Sequence, residues 1–153
     1  MKLNTASSTI SFSKELEDDS ARFYESLIEK YPEAREPFSL FVKENKQNKV
    51  LVERAYYGVI SDAIEGCFSF EDIDTDDFTI GVGLVENSSY SDALNRAIVM
   101  EEKIMKFYSA AAEVSKALIG DVARAFSRVA RKRGERIHRL EALLSGKGSS
   151  SKY

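Results

Sequence analysis

The sequence predicts an all-α four-helix bundle whose second and third helices are joined by a long crossover. Three observations carry that prediction. The first is an internal repeat. Leu16 to Tyr24 reads Leu-Glu-Asp-Asp-Ser-Ala-Arg-Phe-Tyr, and Met100 to Tyr108 reads Met-Glu-Glu-Lys-Ile-Met-Lys-Phe-Tyr. With the two Phe-Tyr pairs aligned, Glu17 falls on Glu101, 84 residues later. A second pair of stretches, Phe38-x-x-Phe41-Val42 and Phe126-x-x-Val129-Ala130, repeats at 88 residues. The chain therefore reads as two helix pairs built on one plan. The second observation is four stretches with apolar residues at helical spacing. The third is the stretch of roughly 24 residues between the second and third of them, where antiparallel helices need only a short turn.

Residues 1–10 read as a polar tail: one Lys, then Asn-Thr-Ala-Ser-Ser-Thr, which is not a signal peptide. Helix α1 is expected over 12–31. Ser11 or Ser13 can cap it, and Leu16, Ser20, Phe23, Leu27 and Tyr31 face inward with Glu17 on their flank. Tyr31-Pro32 ends it, because the residue before a proline disfavours helical angles. Helix α2 is expected over 34–65, with Pro37 in the first turn, where a missing N–H costs little. Its stripe runs from Phe38 to Ile60. Asn45 lies mid-stripe, Lys49 beside it and Asn48 at its edge. Gly66 closes the helix.

The crossover, 66–90, alternates apolar and polar residues and carries Asp72, Asp74, Asp76 and Asp77. Such a cluster suggests a calcium loop, but the Gly and terminal Glu of an EF-hand are missing, so it reads as a solvated connection. Helix α3 is expected over 91–114, with Leu94, Ala97, Glu101, Ile104, Tyr108 and Ala111 on one face. Helix α4 is expected over 121–144, with Phe126, Val129, Ala130, Arg133, Ile137, Leu140 and Leu144 in its stripe. Residues 146–153, Gly-Lys-Gly-Ser-Ser-Ser-Lys-Tyr, read as a flexible tail.

Composition narrows the function classes. The chain has 153 residues, enough for one ordinary domain with a sizeable core. A net charge of −3 gives no electrostatic case for nucleic acid or an anionic membrane. No apolar run approaches the roughly 20 residues of a membrane span. Cys67 is alone, so no internal disulfide forms and a reducing cytoplasm is the expected compartment. One His rules out a His-rich metal site.

The Glu…Phe-Tyr pattern in α1 and α3, the Phe-x-x-Leu-Ala-like opening of α2 and α4, and the long crossover together resemble the rubrerythrin branch of the ferritin-like superfamily. The resemblance covers most of residues 12–144. It implies a four-helix bundle around a carboxylate-bridged pair of iron ions that reacts with peroxide or oxygen. One Glu comes from each of two helices and a Glu-x-x-His pair from each of the others. Glu17 and Glu101 match the two single-Glu positions. The paired positions do not match: they fall on Asn45 and Asn48 in α2 and on Arg133 and Arg136 in α4. Asn is a poor iron ligand, and Arg is none and stays charged. The branch's usual dimer is implied as well. No Cys-x-x-Cys is present for the separate mononuclear iron domain of full-length rubrerythrins.

Two glutamates facing one core repel and are costly to desolvate. The expectation is that Arg133 bridges Glu17 and Glu101 where the cations of the family would sit. Arg136 and Lys49 are possible helpers, and Asn45 and Asn48 satisfy remaining lone pairs. Tyr24, Tyr56 and Tyr108 are expected to pack in the core with their hydroxyls on the polar centre. Glu135-x-x-His138 also has ligand spacing and offers an alternative metal pair. With α4 centred on Phe126 and Ile137, however, Glu135 points about 180° away, which makes His138 a surface residue.

Three functions follow. The first is a metal-free bundle kept as a structural or interaction module, with an Arg–Glu core and no cofactor. The second is a di-iron oxidoreductase with peroxidase or ferroxidase activity and two iron ions as cofactor, for which two carboxylates are too few ligands. The third is a bundle that holds an anion through Arg133, Arg136 and Lys49. The partners expected are a second copy of the chain and an unidentified protein, with no nucleic acid and no membrane.

Overall fold

A computed structural model describes residues 2–3, 5–59, 73–78, 89–116 and 120–146. Among them are four α-helices: α1 (Ala6–Lys30), α2 (Arg35–Val59), α3 (Tyr90–Ser115) and α4 (Gly120–Leu144). Two short strands, β1 (Lys2–Leu3) and β2 (Ile73–Asp74), pair antiparallel, with Leu3 opposite Ile73. None of the described helices is long and apolar enough to cross a membrane.

Helix α1 starts six residues earlier than the sequence suggests, inside the stretch read as a tail. Thr5 caps it. The Thr5 hydroxyl accepts from the Ser8 N–H at 3.0 Å, and the Ser8 hydroxyl accepts in return from the Thr5 N–H at 3.3 Å. This reciprocal box satisfies two of the N–H groups that a helix start otherwise leaves without partners. The core face then continues backward through Ser13, Ile10, Thr9 and Ala6, all buried. At the other end, the Tyr31 N–H closes the helix on Leu27 O, and Pro32–Ala34 makes one 3-10 turn into α2. Helix α3 has its own box, Ser89 with Asp92. The expected end of α2 at 65, most of the crossover and the tail beyond 146 lie outside the described residues. Within the crossover, Asp74 caps a 3-10 turn, Thr75–Asp77, by accepting from the Asp76 N–H.

The side-chain pairings fix the helix directions. Lys14 meets Glu53 and Lys49 meets Asp18, so α1 and α2 run antiparallel. Tyr24 meets Glu101 and Tyr108 meets Glu17, so α1 and α3 are also antiparallel. Arg133 reaches Ser20 and Arg136 lies over the Tyr24 ring, so α4 runs parallel to α1. The closest packing is α3 on α4 and α1 on α2, with α2 against α4 and α1 against α3 completing the bundle. Helices α2 and α3 therefore point the same way, so the end of α2 and the start of α3 lie at opposite ends of the bundle.

The core has its charged groups in the middle and an aromatic cluster on either side. One aromatic cluster holds Tyr24, Phe38 and Phe41; the other holds Phe107, Tyr108 and Phe126. Phe38 and Phe126 are counterparts in the repeat, which accounts for the layered arrangement. Between the clusters lie the charged groups.

Candidate functional site

The mid-bundle site is built from all four helices. Helix α1 presents Glu17, Ser20 and Tyr24 on one face, spaced by one turn or nearly so. Helix α3 presents Glu101 and Tyr108, and α2 presents Asn45 and Asn48. Helix α4 presents Arg133 and Arg136. None of these polar and charged groups is more than 2% exposed, and Glu101, Arg133 and Asn48 are wholly buried.

Arg133 lies between the two glutamates. Its Nη2 is 2.7 Å from Glu17 Oε1, and its Nη1 is 2.8 Å from both oxygens of Glu101. Nη1 also donates to Ser20 Oγ and Nη2 to Asn45 Oδ1. A planar fork with donors on both arms suits this position; an ammonium has no such shape. Arg136 is the second cation. Its Nη1 donates to Asn45 Oδ1 at 2.9 Å and to Glu101 Oε2 at 3.2 Å. Its Nη2 reaches Phe41 O and Glu44 Oε1. The guanidinium stacks over Phe41, 4.6 Å from the ring centroid. Two buried carboxylates thus face two buried guanidiniums, and their formal charges cancel.

The tyrosines complete the carboxylate shells by crossing over. Tyr24 donates to Glu101 Oε2 and Tyr108 to Glu17 Oε2, each at 2.6 Å. Asn48 Nδ2 donates to Glu17 Oε1 at 3.3 Å. Burial, and then the facing carboxylate, push both phenols well above their ordinary value. For Glu101, burial is the largest influence and pushes its carboxyl up. Arg133, Arg136 and the hydrogen bonds from Tyr24 and Arg133 outweigh it, so Glu101 is held below the usual carboxylate value. Arg133 is stabilised as a cation: burial opposes its charge, but Glu101 and Glu17 more than reverse that.

Not every expected residue joins the site. Lys49 points outward and pairs with Asp18 at 2.8 Å, because its long stem carries the ammonium to the solvated α1–α2 seam. Arg136, expected only as a helper, fills the second cationic position. Tyr56 is buried, but it lies two turns past Asn48, about 12 Å further along the helix, and packs on Tyr57. Glu135 and His138 face out. The His138 side chain is 84% exposed, and its nearest acidic neighbour is Glu141 on the same helix, so the alternative metal pair does not reach the core. Two contributors carried no motif: Ser20, a small polar residue in an apolar stripe, and Glu44, half-buried at the rim beside Arg136.

As placed, these residues do not fit a carboxylate-bridged iron pair. A guanidinium stands between the two carboxylates, and the four remaining positions offer two amides and two cations. Among the described residues, no group of three or more His, Cys, Asp or Glu side chains converges as a metal site. Among the described residues, four buried polar atoms have no protein partner: Asn45 Nδ2, Asn48 Oδ1, Arg133 Nε and Arg136 Nε. Comparison with family models, with curated proteins and with solved structures finds no match.

Proposed function

We propose that this chain is a ferritin-like bundle of the rubrerythrin type in which an Arg–Glu ion-pair centre stands in place of the di-iron centre. In this reading it acts in the cytoplasm, as a homodimer, as a structural or interaction module without a catalytic role or cofactor. The observation that carries the reading is the seat of Arg133, which is 2.7 Å from Glu17, 2.8 Å from Glu101 and closed to solvent. Support for the family comes from the duplicated Glu…Phe-Tyr pattern, which places Glu17 and Glu101 at equivalent points of antiparallel helices. Support for a non-catalytic role comes from the chemistry of the groups themselves. Each carboxylate is already matched by a guanidinium and a phenol, and none is left to act as a base or to bind a substrate.

A buried charge network of this kind fixes register more than it adds net stability. Sliding one helix by a turn would leave a guanidinium against apolar side chains, so the quartet favours one pairing of the four helices.

Elemental analysis tests the reading. The protein is expressed with iron and manganese supplied and purified without chelator. The expected result is no stoichiometric metal in a folded, heat-stable protein. About two iron or manganese atoms per chain, the family's complement, would overturn it and restore the oxidoreductase reading.

A further inference from the structure

The surface between α2 and α4 carries a groove that is unrelated to the buried centre. It comprises a hollow of about 790 Å³ lined by residues of both helices and an adjoining one of about 490 Å³, which share Leu51, Arg54 and Arg128. The floor is apolar, made by Leu51, Ala55 and Ala125. The walls are basic: Lys46 and Arg54 on α2, and Arg128, Arg131 and Lys132 on α4. None of these five cations has an ion-pair or hydrogen-bond partner among the described residues. Arg124, further along, is held by Asp121 one turn away.

This concentration is unfavourable for the folded chain alone. Arg124, Arg128 and Lys132 succeed one another at four-residue spacing, where like charges destabilise a helix. Arg54 faces Arg128 across the same groove. The chain as a whole is acidic, at −3, so the basic seam does not follow from its average composition. A second, independent feature lies on the same helix. Val50 and Tyr57 are 46% and 70% exposed. They are seven residues apart on one face of α2, with Arg54 between them.

We propose that the α2–α4 groove is a docking site for an acidic amphipathic helix of a partner protein. An apolar stripe on the partner seats on Leu51, Ala55 and Val50, and flanking Asp or Glu side chains meet the two basic walls. From Lys46 to Gly58, the residues lining the groove on α2 span about 18 Å, room for about three turns of a docked helix. Among the described residues, no aromatic ring lines the groove for a base to stack on, which favours such a peptide over a single-stranded nucleic acid. The site gives the proposed interaction module a surface, yet it shares no residue with the Arg133 centre. Metal content and groove binding can therefore fail separately.

Fluorescence anisotropy on the full chain tests this with two synthetic helical peptides. Both carry Leu at i, i+3, i+4 and i+7; one has Glu on the flanks and the other Lys. The Glu peptide should bind saturably and weaken by about tenfold when salt rises from low to high. Arg54→Glu with Arg128→Glu, both exposed positions, should weaken it at least about tenfold. The same reversal at exposed Lys106 on α3 should leave binding unchanged. Absence of saturable binding, equal binding of both peptides, or indifference to the Arg54 and Arg128 reversals would overturn the proposal. So would a single-stranded oligonucleotide that displaces the Glu peptide at lower concentration, which would reassign the groove to nucleic acid.

Discussion

Tyr24 in α1 donates its phenolic hydrogen to Glu101 in α3, 2.6 Å away, and the bond recurs with the helices exchanged, from Tyr108 to Glu17 at the same distance. Each Tyr lies seven residues after the Glu of its own helix. Because α1 and α3 are antiparallel, that spacing brings each hydroxyl level with the carboxylate of the other helix. The repeat in the sequence is thus also a reciprocal contact in the fold, with Arg133 lying between its two halves.

Arg133→Leu should destabilise the protein by about 3–5 kcal/mol, since it leaves two buried carboxylates without their shared cation. Arg136→Leu should cost less, because Arg133 still holds Glu101 and Asn45, and Glu44, the second carboxylate on Arg136, reaches solvent. Urea unfolding monitored by circular dichroism gives both values. Equal effects of the two substitutions would contradict the central role of Arg133.

Tyr24→Phe and Tyr108→Phe should each cost about 1–3 kcal/mol by taking a donor from a buried carboxylate. Both phenols are raised above the ordinary value near 10. Their contribution is intact below about pH 10 and is lost as pH climbs through the higher folded values. Phenolate absorbance from these two residues should therefore appear only as the protein unfolds. The double Phe variant should lack that late component.

Glu101 gives the opposite dependence. Its carboxyl is held below the ordinary value, so its contribution is whole above about pH 4–5 and is lost as pH falls through the folded value. Stability measured from neutral to acid pH should fall more steeply in the parent protein than in Glu101→Gln. Parallel curves would show that Glu101 titrates normally.

His138→Ala and Lys49→Ala should change stability by no more than about 0.5 kcal/mol, because one side chain is exposed and the other makes a single partly exposed ion pair. Combined replacement of Asn45 and Arg133 by Glu, and of Asn48 and Arg136 by His, places carboxylates and imidazoles where the resemblance puts iron ligands. That variant should bind about two iron or manganese ions per chain. Failure of the folded variant to bind metal would count against the family resemblance.

Much of the site was legible in the sequence, and the misses have physical causes. The duplicated Glu…Phe-Tyr stretch pointed to both carboxylates and both bonding tyrosines, because seven residues is two turns whatever the surroundings. The stripe from Phe126 to Leu140 marked Arg133, since few charged residues sit mid-stripe without a buried partner. Lys49 departs from its expected place because helical angle locates a Cβ but not the end of a four-carbon stem. Asn48 looked marginal by angle, yet its short side chain is wholly enclosed. The start of α1 was hidden by Thr5-Ala-Ser-Ser-Thr9, a run that has the composition of a tail but the spacing of a capping box.

The buried charges are also divided unequally between the two helix pairs. Helices α1 and α2 bring Glu17 with two amides; α3 and α4 bring Glu101 with both guanidiniums. Taken separately, the first pair would enclose one uncompensated negative charge and the second one uncompensated positive charge. Neither pair can exclude water from its polar face until it meets the other. Folding should therefore show a single cooperative transition without a stable half-bundle, and a fragment ending at Val59 should remain unstructured until mixed with its complement.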